Sequence, residues 1–249
     1  MPNVSLIITT FDSPCFLDHV LQSVLAQTVK PREVLVADDG SGVKTRDLLM
    51  RWSTHIPIKH IWQPNNGFRA AAARNLAIIK ARQPYLIFID GDCVLPPKFV
   101  ESHLRLSSQS KILSGGRYLA RANSYNQAKD ESKNSPKLWS LPLGALRDVE
   151  AKKWTVARTC NLSMYREMAL RVKGFDESYI GWGREDSDFV VRLIRSGVTL
   201  RSARFAATVI HLKHDFVSRV NLSTNDAKLD SLLADPSRVQ SRQSRIGEV

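Results

Sequence analysis

Two carboxylates flank a glycine at the end of an apolar run, in the segment Phe-Ile-Asp-Gly-Asp at residues 88–92. A glycine at a tight turn lets the backbone approach a ligand closely, with Asp90 and Asp92 on either side of it. Hard divalent cations such as Mg²⁺ and Mn²⁺ bind a few carboxylate oxygens and complete their shell with substrate phosphates. Asp-Gly-Asp is also a common turn sequence. Its position after a buried strand favours a metal and diphosphate site.

A second acid pair, Asp38 and Asp39, follows the apolar run at residues 33–37. Because Asp side chains accept hydrogen bonds from free backbone amides, either acid could cap a helix that begins near Val43. A carboxylate here could equally bind a ribose hydroxyl or a base edge, as acids do at the strand ends of dinucleotide-binding folds. The residues alone leave both interpretations open.

The sequence Asn-Asn-Gly-Phe-Arg at residues 65–69 leads into an Ala-rich helical segment that contains Arg74 and Asn75. A glycine turn at a helix N-terminus offers free amides to phosphate, and Arg69 or Arg74 could add a bidentate contact. Arginines on helices are usually solvated, however. The spacing by itself does not choose between these two arginines.

Four ordered motifs together resemble the family 2 inverting glycosyltransferases, over roughly the first 120 residues. They lie at residues 5–10, 37–41, 66–75 and 88–92. Four motifs in order are more specific than one. The resemblance implies a GT-A fold, a single α/β domain with a mixed, mostly parallel central sheet flanked by helices. It implies a divalent metal, Mn²⁺ or Mg²⁺, held in part by Asp92. The donor-nucleotide residues that it implies are Thr9, Asp12, Asp39, Asn66, Arg74, Asp90 and Gly91.

The second half resembles the C-terminal block of galactosyltransferase-type enzymes, which also occurs in bacterial chondroitin-polymerase-type and lipopolysaccharide or capsule glycosyltransferases. The matching segments are Gly-Phe-Asp-Glu at residues 174–177 and Gly-Trp-Gly-Arg-Glu-Asp-Ser-Asp-Phe at residues 181–189. Those families carry Gly-Trp-Gly-Gly-Glu-Asp, and Arg184 takes the place of the glycine before the acids. This substitution bears on the shape of the acceptor pocket and leaves both acids in place.

The resemblance gives roles to the residues of this block. An inverting transferase needs a base for the proton of the acceptor hydroxyl, and the position of Asp186 in the motif makes it the candidate. Glu185 would bind a sugar hydroxyl, and Trp182 beside Gly183 would offer a flat apolar face to a sugar ring. Acids in the first turn also favour a helix dipole, and for Asp188 this is the preferred interpretation.

Histidines follow the next predicted strand, at His211 and His214. A neutral imidazole can complete a metal shell that carboxylates begin. The resemblance favours His211 as the metal ligand, with His214 as the alternative. The segment Thr-Cys-Asn-Leu-Ser at residues 159–163 resembles a strand near the acceptor side of the same enzymes, and Cys160 is expected to be packed rather than reactive.

The elements that must position these residues follow from hydrophobic periodicity. Alternating apolar runs and helical segments predict βαβ crossovers and a largely parallel sheet. Ligands bind at the carboxyl ends of such strands, so the acids after the second and fourth strands are expected in one site. The predicted strands lie at residues 4–10, 33–37, 55–61, 85–89, 156–163 and 206–211, and the helices at 14–27, 69–81 and 185–196.

Three parts of one domain are predicted. Residues 1–120 would bind the nucleotide-sugar, residues 121–221 would bind the acceptor and carry catalysis, and residues 222–249 would form a C-terminal helix or flexible tail. The polar stretch 121–137 is expected to be a mobile excursion or an acceptor loop. The chain has 249 residues, of which 43% are hydrophobic and 24% charged, and this balance is typical of a soluble folded protein.

The formal net charge of +12 suits a phosphorylated substrate, an anionic lipid surface or a nucleic acid. The cations are scattered without interleaved aromatic residues, which argues against nucleic acid. Three widely spaced cysteines predict reduced thiols. The apolar stretches are shorter than the roughly 20 residues that span a bilayer, and the first residues lack a basic leader. We expect a cytoplasmic protein, at the inner face of the membrane by analogy.

The leading hypothesis is transfer of a hexose or N-acetylhexosamine from a UDP-sugar to a saccharide or glycolipid acceptor in bacterial surface polysaccharide synthesis. One alternative is a nucleotidyltransferase that makes the activated sugar. Such enzymes usually carry a Gly-rich N-terminal loop, which residues 4–14 lack. The other alternative is a non-catalytic nucleotide-sugar-binding module, and the presence of Asp90, Asp92 and Asp186 argues against it.

Overall fold

The computed structural model describes residues 1–121, 123–127, 130, 149–151, 153–214 and 218–247. The strands are β1 (Val4–Thr10), β2 (Glu33–Asp38), β3 (Ile58–Trp62), β4 (Tyr85–Asp90), β5 (Cys93–Val94), β6 (Lys111–Leu119), β7 (Val149–Glu150), β8 (Asn161–Tyr165) and β9 (Thr199–His211). The helices are α1 (Pro14–Leu25), α2 (Val43–Trp52), α3 (Ala70–Lys80), α4 (Phe99–Leu106), α5 (Arg166–Arg171), α6 (Glu185–Arg195) and α7 (Leu222–Leu233).

One mixed sheet organises these elements, in the order β3-β2-β1-β4-β8-β6-β9-β5, with β7 paired to β9. The first four strands are parallel, and the register places Thr10 beside Asp38 and Thr9 beside Asp90. The carboxyl ends of β1, β2 and β4 therefore meet at one edge. The predicted α/β class with helices around a mixed sheet is confirmed.

The antiparallel strands bring the second half of the chain to the same edge. Strand β8 lies antiparallel between β4 and β6, and β5 pairs antiparallel with β9. The pairing of β5 with β9 sets Cys93 opposite His211. Asp92, which precedes Cys93, is thereby carried to the end of β9.

The core lies on both faces of the sheet. Because side chains alternate along a strand, Leu6 and Ile8 of β1 pack in one cluster with α1 and α2, and Ile7 packs in the other. The second cluster includes small alanines of α3 and Phe189 of α6. Both α3 and α6 are thus fixed against the sheet, and each begins near the edge where the acids meet.

Several elements differ from the sequence prediction. Strand β6 was not predicted because Gly115 and Gly116 interrupt its apolar pattern. They lie at a register shift, and a Cβ added at Gly115 would stand 2.2 Å from Asn161 Nδ2. Helices α4 and α5 were also missed, and β9 begins at residue 199 rather than 206. The strand predicted at 156–163 lies at Asn161–Tyr165, preceded by a 3₁₀ turn at Trp154–Val156.

The C-terminal segment packs on the rest of the chain. Leu229 and Leu232 of α7 contact Val191 of α6. After α7, Arg245 makes a bidentate contact with Glu177, in which Nε donates to Oε1 and Nη2 donates to Oε2, each at 2.9 Å. The segment after α7 thus contacts the rest of the chain through Arg245, and the choice between helix and flexible tail for residues 222–249 as a whole stays a prediction. Most of the stretch predicted as a mobile loop, 121–137, lies outside the described residues. Of the helices described, none is long and apolar enough to cross a membrane.

Candidate active site

A cavity of about 710 Å³ lies at the sheet edge where β1, β4 and β9 end and α6 begins. It brings together most of the residues that the sequence singled out. The predicted residues that line it are Thr9, Asp39, Arg74, Asp90, Gly91, Asp92, Trp182, Gly183, Glu185, Asp186 and His211. Residues separated by more than 200 positions in the chain thus share one cavity.

Two predicted donor-binding residues do not line the cavity. Asp12 is exposed, and its backbone N–H donates to Ser41 Oγ at 2.8 Å, which ties the loop after β1 to the loop after β2. Asn66 is exposed in the turn before α3. Neither side chain reaches the other predicted residues in this structure, and their contact with a donor stays a prediction.

The Asp-Gly-Asp turn is pressed against β1. The backbone N–H of Gly91 donates to Thr9 O at 2.8 Å. A Cβ at Gly91 would lie 3.0 Å from Thr10 Oγ1 and 3.1 Å from Thr9 O, so a larger residue would push the turn outward. Glycine therefore fits the place where the backbone passes close to a neighbouring strand.

Asp92 stands among groups that suit a divalent cation. His214 Nε2 lies 3.0 Å and His211 Nε2 3.5 Å from Asp92 Oδ2. The thiol of Cys93 donates to Asp92 Oδ1 at 3.3 Å. Although burial works in the opposite direction, the two histidines hold the pKa of the Asp92 carboxyl below its ordinary value. Asp92 is thus kept ionised, as a metal ligand must be.

The donor set fits Mn²⁺ or Mg²⁺. His211 Nδ1 lies 3.1 Å from Leu212 O, and with a metal bound this carbonyl would accept the Nδ1 proton and leave the Nε2 lone pair for the ion beside Asp92. Burial raises the pKa of the Cys93 thiol well above its ordinary value, so this sulphur is a protonated donor rather than a thiolate ligand. A carboxylate with imidazole nitrogens suits Mn²⁺ best, and Mg²⁺ would be held through Asp92 and water.

The two acids after β2 have different surroundings. Asp38 is buried and accepts from the Ser41 N–H at 2.8 Å, with His60 Nε2 2.6 Å from its other oxygen. Burial opposes the effect of these contacts, but they lower the pKa of Asp38. Asp38 is therefore bound up in the turn. Asp39 lines the cavity and accepts from Gln63 Nε2 and the Arg69 N–H, each at 2.6 Å.

Arg74 joins the two acid groups of the cavity. It is 4% exposed, and its Nη1 donates to Glu185 Oε1 at 2.9 Å while Nη2 donates to Asp90 Oδ1 at 3.2 Å. Its Nε donates to Thr9 Oγ1 at 3.0 Å. All three nitrogens of the guanidinium are thus bonded to protein groups. Binding of a donor phosphate by Arg74 stays a prediction, and its described role is to hold β1, β4 and α6 together.

Glu185 and Asp186 begin α6 and face the cavity with different surroundings. Glu185 Oε1 is paired with Arg74, whereas its Oε2 is buried without a hydrogen-bond partner among the described residues. An unpaired buried acceptor is costly, so a ligand hydroxyl near it would be stabilised. Burial and the charge of Glu185 raise the pKa of Asp186 to about 6. A carboxylate with this pKa is a stronger proton acceptor than an ordinary aspartate.

Asp188 points away from the cavity into a buried network. Its oxygens accept from Arg192 Nε at 2.6 Å and from Arg238 Nη2 at 3.3 Å. Tyr179 also donates to Asp188 at 3.3 Å. Asp188 therefore serves structure, by linking α6 to the C-terminal segment. Arg192 and Asp188 are both fully buried, so each provides the charged partner that takes the place of water around the other.

Sequence reasoning missed the residues that hold the Trp182 loop. Asn225 of α7 is 1% exposed and donates to Ile180 O at 3.1 Å and to Gly183 O at 3.0 Å. Arg184 precedes α6 in a left-handed conformation with φ of +79°, and its Nε contacts Asp226 of α7 at 2.5 Å. Asn225 lies in a polar stretch of the sequence, and no pattern in it suggested this role.

Known proteins share this geometry. A mixed sheet whose parallel strands end in acids that meet the start of a later helix is the arrangement of a GT-A fold. The model of glycosyl transferase family 2 matches residues 5–172, and that of the N-terminal domain of galactosyltransferase matches residues 149–215. The chain belongs to glycosyl transferase family 2, and both resemblances predicted from the motifs are confirmed.

Relatives of known name are similar over part of their length. Validoxylamine A glucosyltransferase of Streptomyces hygroscopicus subsp. limoneus is 29% identical, over 90% of this chain and 54% of its own length. Chondroitin synthase of Pasteurella multocida (strain Pm70) is 28% identical, over 80% of this chain and 23% of its own. The chain thus spans about half of the first relative and about a quarter of the second.

Solved structures share the fold at lower identity. S. aureus TarS 1–349 in complex with UDP-GlcNAc has a TM-score of 0.69 at 16% identity, over 94% of this chain and 67% of that one. The mannosyltransferase PcManGT of Pyrobaculum calidifontis, in complex with GDP-Man and Mn²⁺, has a TM-score of 0.65 at 18% identity, over 95% and 67%. At such identities the likeness establishes the fold alone.

Proposed function

We propose that the chain is a metal-dependent, inverting glycosyltransferase that moves a hexose or N-acetylhexosamine from a UDP-sugar to a saccharide or glycolipid. The observation that carries this proposal is the meeting of two acid groups in one cavity. Asp92 with His211 offers a metal site, and Glu185 with Asp186 offers a base and a hydroxyl acceptor. Family membership supports the class of reaction.

The donor diphosphate would lie at the end of β4. A divalent metal held by Asp92 and His211, with His214 as the alternative imidazole, would stabilise the negative charge of the departing diphosphate. Asp39 would receive the nucleoside, since it lines the cavity directly after β2. A relative of the fold in complex with UDP-GlcNAc supports a UDP-sugar, and another in complex with Mn²⁺ supports the metal.

The transfer step uses Asp186 as the base. The acceptor hydroxyl gives its proton to the Asp186 carboxylate while its oxygen bonds to the anomeric carbon of the sugar. The bond from that carbon to the diphosphate oxygen breaks on the opposite face, so UDP leaves and the configuration inverts. The unpartnered Oε2 of Glu185 would accept a sugar hydroxyl, and Trp182, which is 39% exposed, would stack on a ring.

The parts of the domain follow from these positions. Residues 1–120 would bind the nucleotide-sugar, residues 121–221 would bind the acceptor and supply the base, and α7 would support the second part. We place the reaction in bacterial surface polysaccharide synthesis, with the protein in the cytoplasm at the inner face of the membrane. The likeness to chondroitin synthase and the net charge of +12 support this setting.

The proposal is tested by assaying hydrolysis and transfer for a panel of UDP- and GDP-sugars, with and without Mn²⁺. We expect hydrolysis or transfer with a UDP-sugar, loss of the reaction with EDTA, and recovery with Mn²⁺. NMR of the transferred sugar gives the anomeric configuration, which should be the opposite of that in the donor. Asp92→Ala and Asp186→Ala are both expected to be inactive.

His55→Ala is the matched control, because His55 is an exposed histidine away from the cavity. It should keep full activity. Turnover unaffected by EDTA would overturn the metal, and retention of configuration would overturn the mechanism. If no donor binds, as judged by titration with UDP and Mn²⁺, the assignment of the site itself is wrong.

A further inference from the structure

Four arginines line the cavity together with its acids. They come from β6, from the loop before β8, from the residue before α6 and from the segment before α7. These residues, which together with Trp182 we call the cavity rim, are Arg117, Arg158, Arg184 and Arg219. Arg184 is paired with Asp226, and the other three are exposed.

Each rim arginine has a large exposed apolar side chain within two positions. The exposed fractions are 62% for Leu119, 52% for Val156, 39% for Trp182 and 85% for Val220. The guanidinium of Arg219 lies 4.8 Å from the centre of the Trp182 ring, so cation and apolar surface are in contact there. Four separate segments that each contribute an arginine to the cavity lining thus repeat the same combination in sequence.

This combination has a specific physical use. Arginines attract the phosphates of anionic lipid headgroups, and exposed apolar side chains gain free energy when they enter the boundary of the acyl chains. A tryptophan ring is favoured at the same depth. A soluble anion would account for the arginines but would leave the apolar neighbours in water.

We infer that the cavity rim docks on an anionic membrane surface, with the mouth of the cavity against the headgroups. The inference rests on the proposed function in taking a glycolipid as acceptor. A hydroxyl carried by such a lipid could then reach Asp186 from the membrane, past Trp182. The net charge of +12 adds a long-range attraction that brings the protein to the surface.

Sedimentation with vesicles tests whether the cavity rim binds an anionic membrane. Vesicles of phosphatidylcholine with 30% phosphatidylglycerol, and of phosphatidylcholine alone, are mixed with the whole chain at about 100 mM salt, where screening is moderate. The rim variant Arg117→Gln/Leu119→Ser is compared with the control Met50→Ser/Arg51→Gln, which changes equally exposed side chains of α2. The control has the same loss of charge and of apolar surface.

We expect wild type to bind the anionic vesicles and the rim variant to bind about tenfold more weakly, with the control within about twofold of wild type. Equal losses in both variants would mean diffuse charge attraction and would overturn the inference, as would failure of wild type to bind. Leu119→Ser alone should also weaken binding. If it has no effect, the rim binds anions without entering a membrane.

A separate titration distinguishes this inference from the proposed function. Binding of UDP with Mn²⁺ to wild type reports on the donor site, and vesicle binding reports on the rim. If UDP does not bind while the rim variant still loses vesicle binding, the docking surface stands and the proposed reaction fails. If UDP binds while the rim variant equals the control, the reaction stands and the docking surface fails. Circular dichroism confirms that the variants are folded.

Discussion

Asp92 and Asp186 are acids of one cavity in opposite surroundings. Asp92 has the imidazoles of His211 and His214 within 3.5 Å, and they lower its pKa. Asp186 accepts only from Ser187 among the described residues, and burial beside Glu185 raises its pKa. The comparison teaches that partners decide function: a carboxylate that stays ionised suits a metal, and one that takes up a proton near neutral pH suits a base.

The largest effect should come from Asp186→Asn, which removes the base and keeps the shape. We expect the transfer rate to fall about 10³-fold, because general-base help contributes on the order of 10² to 10⁴. Affinity for UDP with Mn²⁺ should hardly change, as Asp92 and His211 are untouched. Initial rates and UDP titration give the two quantities. A parallel loss of UDP affinity would contradict the separate roles of Asp186 as base and Asp92 as metal ligand.

Arg74→Gln should cause the largest loss of stability. The change leaves Glu185 and Asp90 without their shared cation, and breaking a buried ion pair costs about 3 kcal/mol or more of unfolding free energy. Urea denaturation measures the loss. Arg46→Gln is the control, since the exposed pair of Arg46 with Asp47 should contribute less than about 1 kcal/mol. Equal stabilities of the two variants would mean that Arg74 does not join the acid groups.

On the metal side, Asp92→Asn should weaken binding of UDP with Mn²⁺ about 100-fold, and His211→Ala about tenfold, because even the loss of a group that supports a metal ligand costs about 10- to 100-fold in metal affinity. Calorimetric titration with UDP and Mn²⁺ measures both. His55→Ala should bind like wild type. His214→Ala sharpens the choice of imidazole: if it loses more affinity than His211→Ala, His214 is the principal ligand.

The sequence predicted the donor half of the site better than the acceptor half. Strands β2 and β4 are apolar runs that end in acids, and both pair with β1, so their shared edge followed from the parallel topology. The contact of Asp92 with His211 depends on the short pairing of β5 with β9, and two residues of strand leave no periodic signal. That contact was expected only from family resemblance.

Arg74 and Asn225 show why the rest could not be predicted. An arginine on a helix is expected to be solvated. Only the tertiary structure reveals that Arg74 is enclosed by β1, β4 and α6. Asn225 lies in a polar C-terminal stretch that gave no hint of burial. The two predicted residues that stay outside the cavity, Asp12 and Asn66, lie in turns whose side-chain directions no motif fixes.

A smaller effect is expected from Asn225→Ala, which frees the loop that carries Trp182. The loss of two hydrogen bonds to Ile180 O and Gly183 O should misplace the start of α6 and lower kcat about tenfold. Binding of UDP with Mn²⁺ should be unchanged, because Asn225 bonds to Ile180 O and Gly183 O and not to Asp92 or His211. Thr224→Ala, an exposed change on the same helix, should behave like wild type. Unchanged kcat would show that α7 does not position the base.

The smallest effect concerns pH. A base with a pKa of about 6 is protonated and inactive below that value, so kcat/KM should rise tenfold per pH unit up to about pH 6 and then level off. Because the positive charge of Arg158 lowers the pKa of Asp186, Arg158→Gln should move this rise to higher pH. Arg51→Gln, an exposed arginine of α2, should leave it in place. A profile that is flat from pH 5 to 7 would assign the base to a group other than Asp186. The contrast between the two acids would then hold only for Asp92, which stays ionised on the metal side.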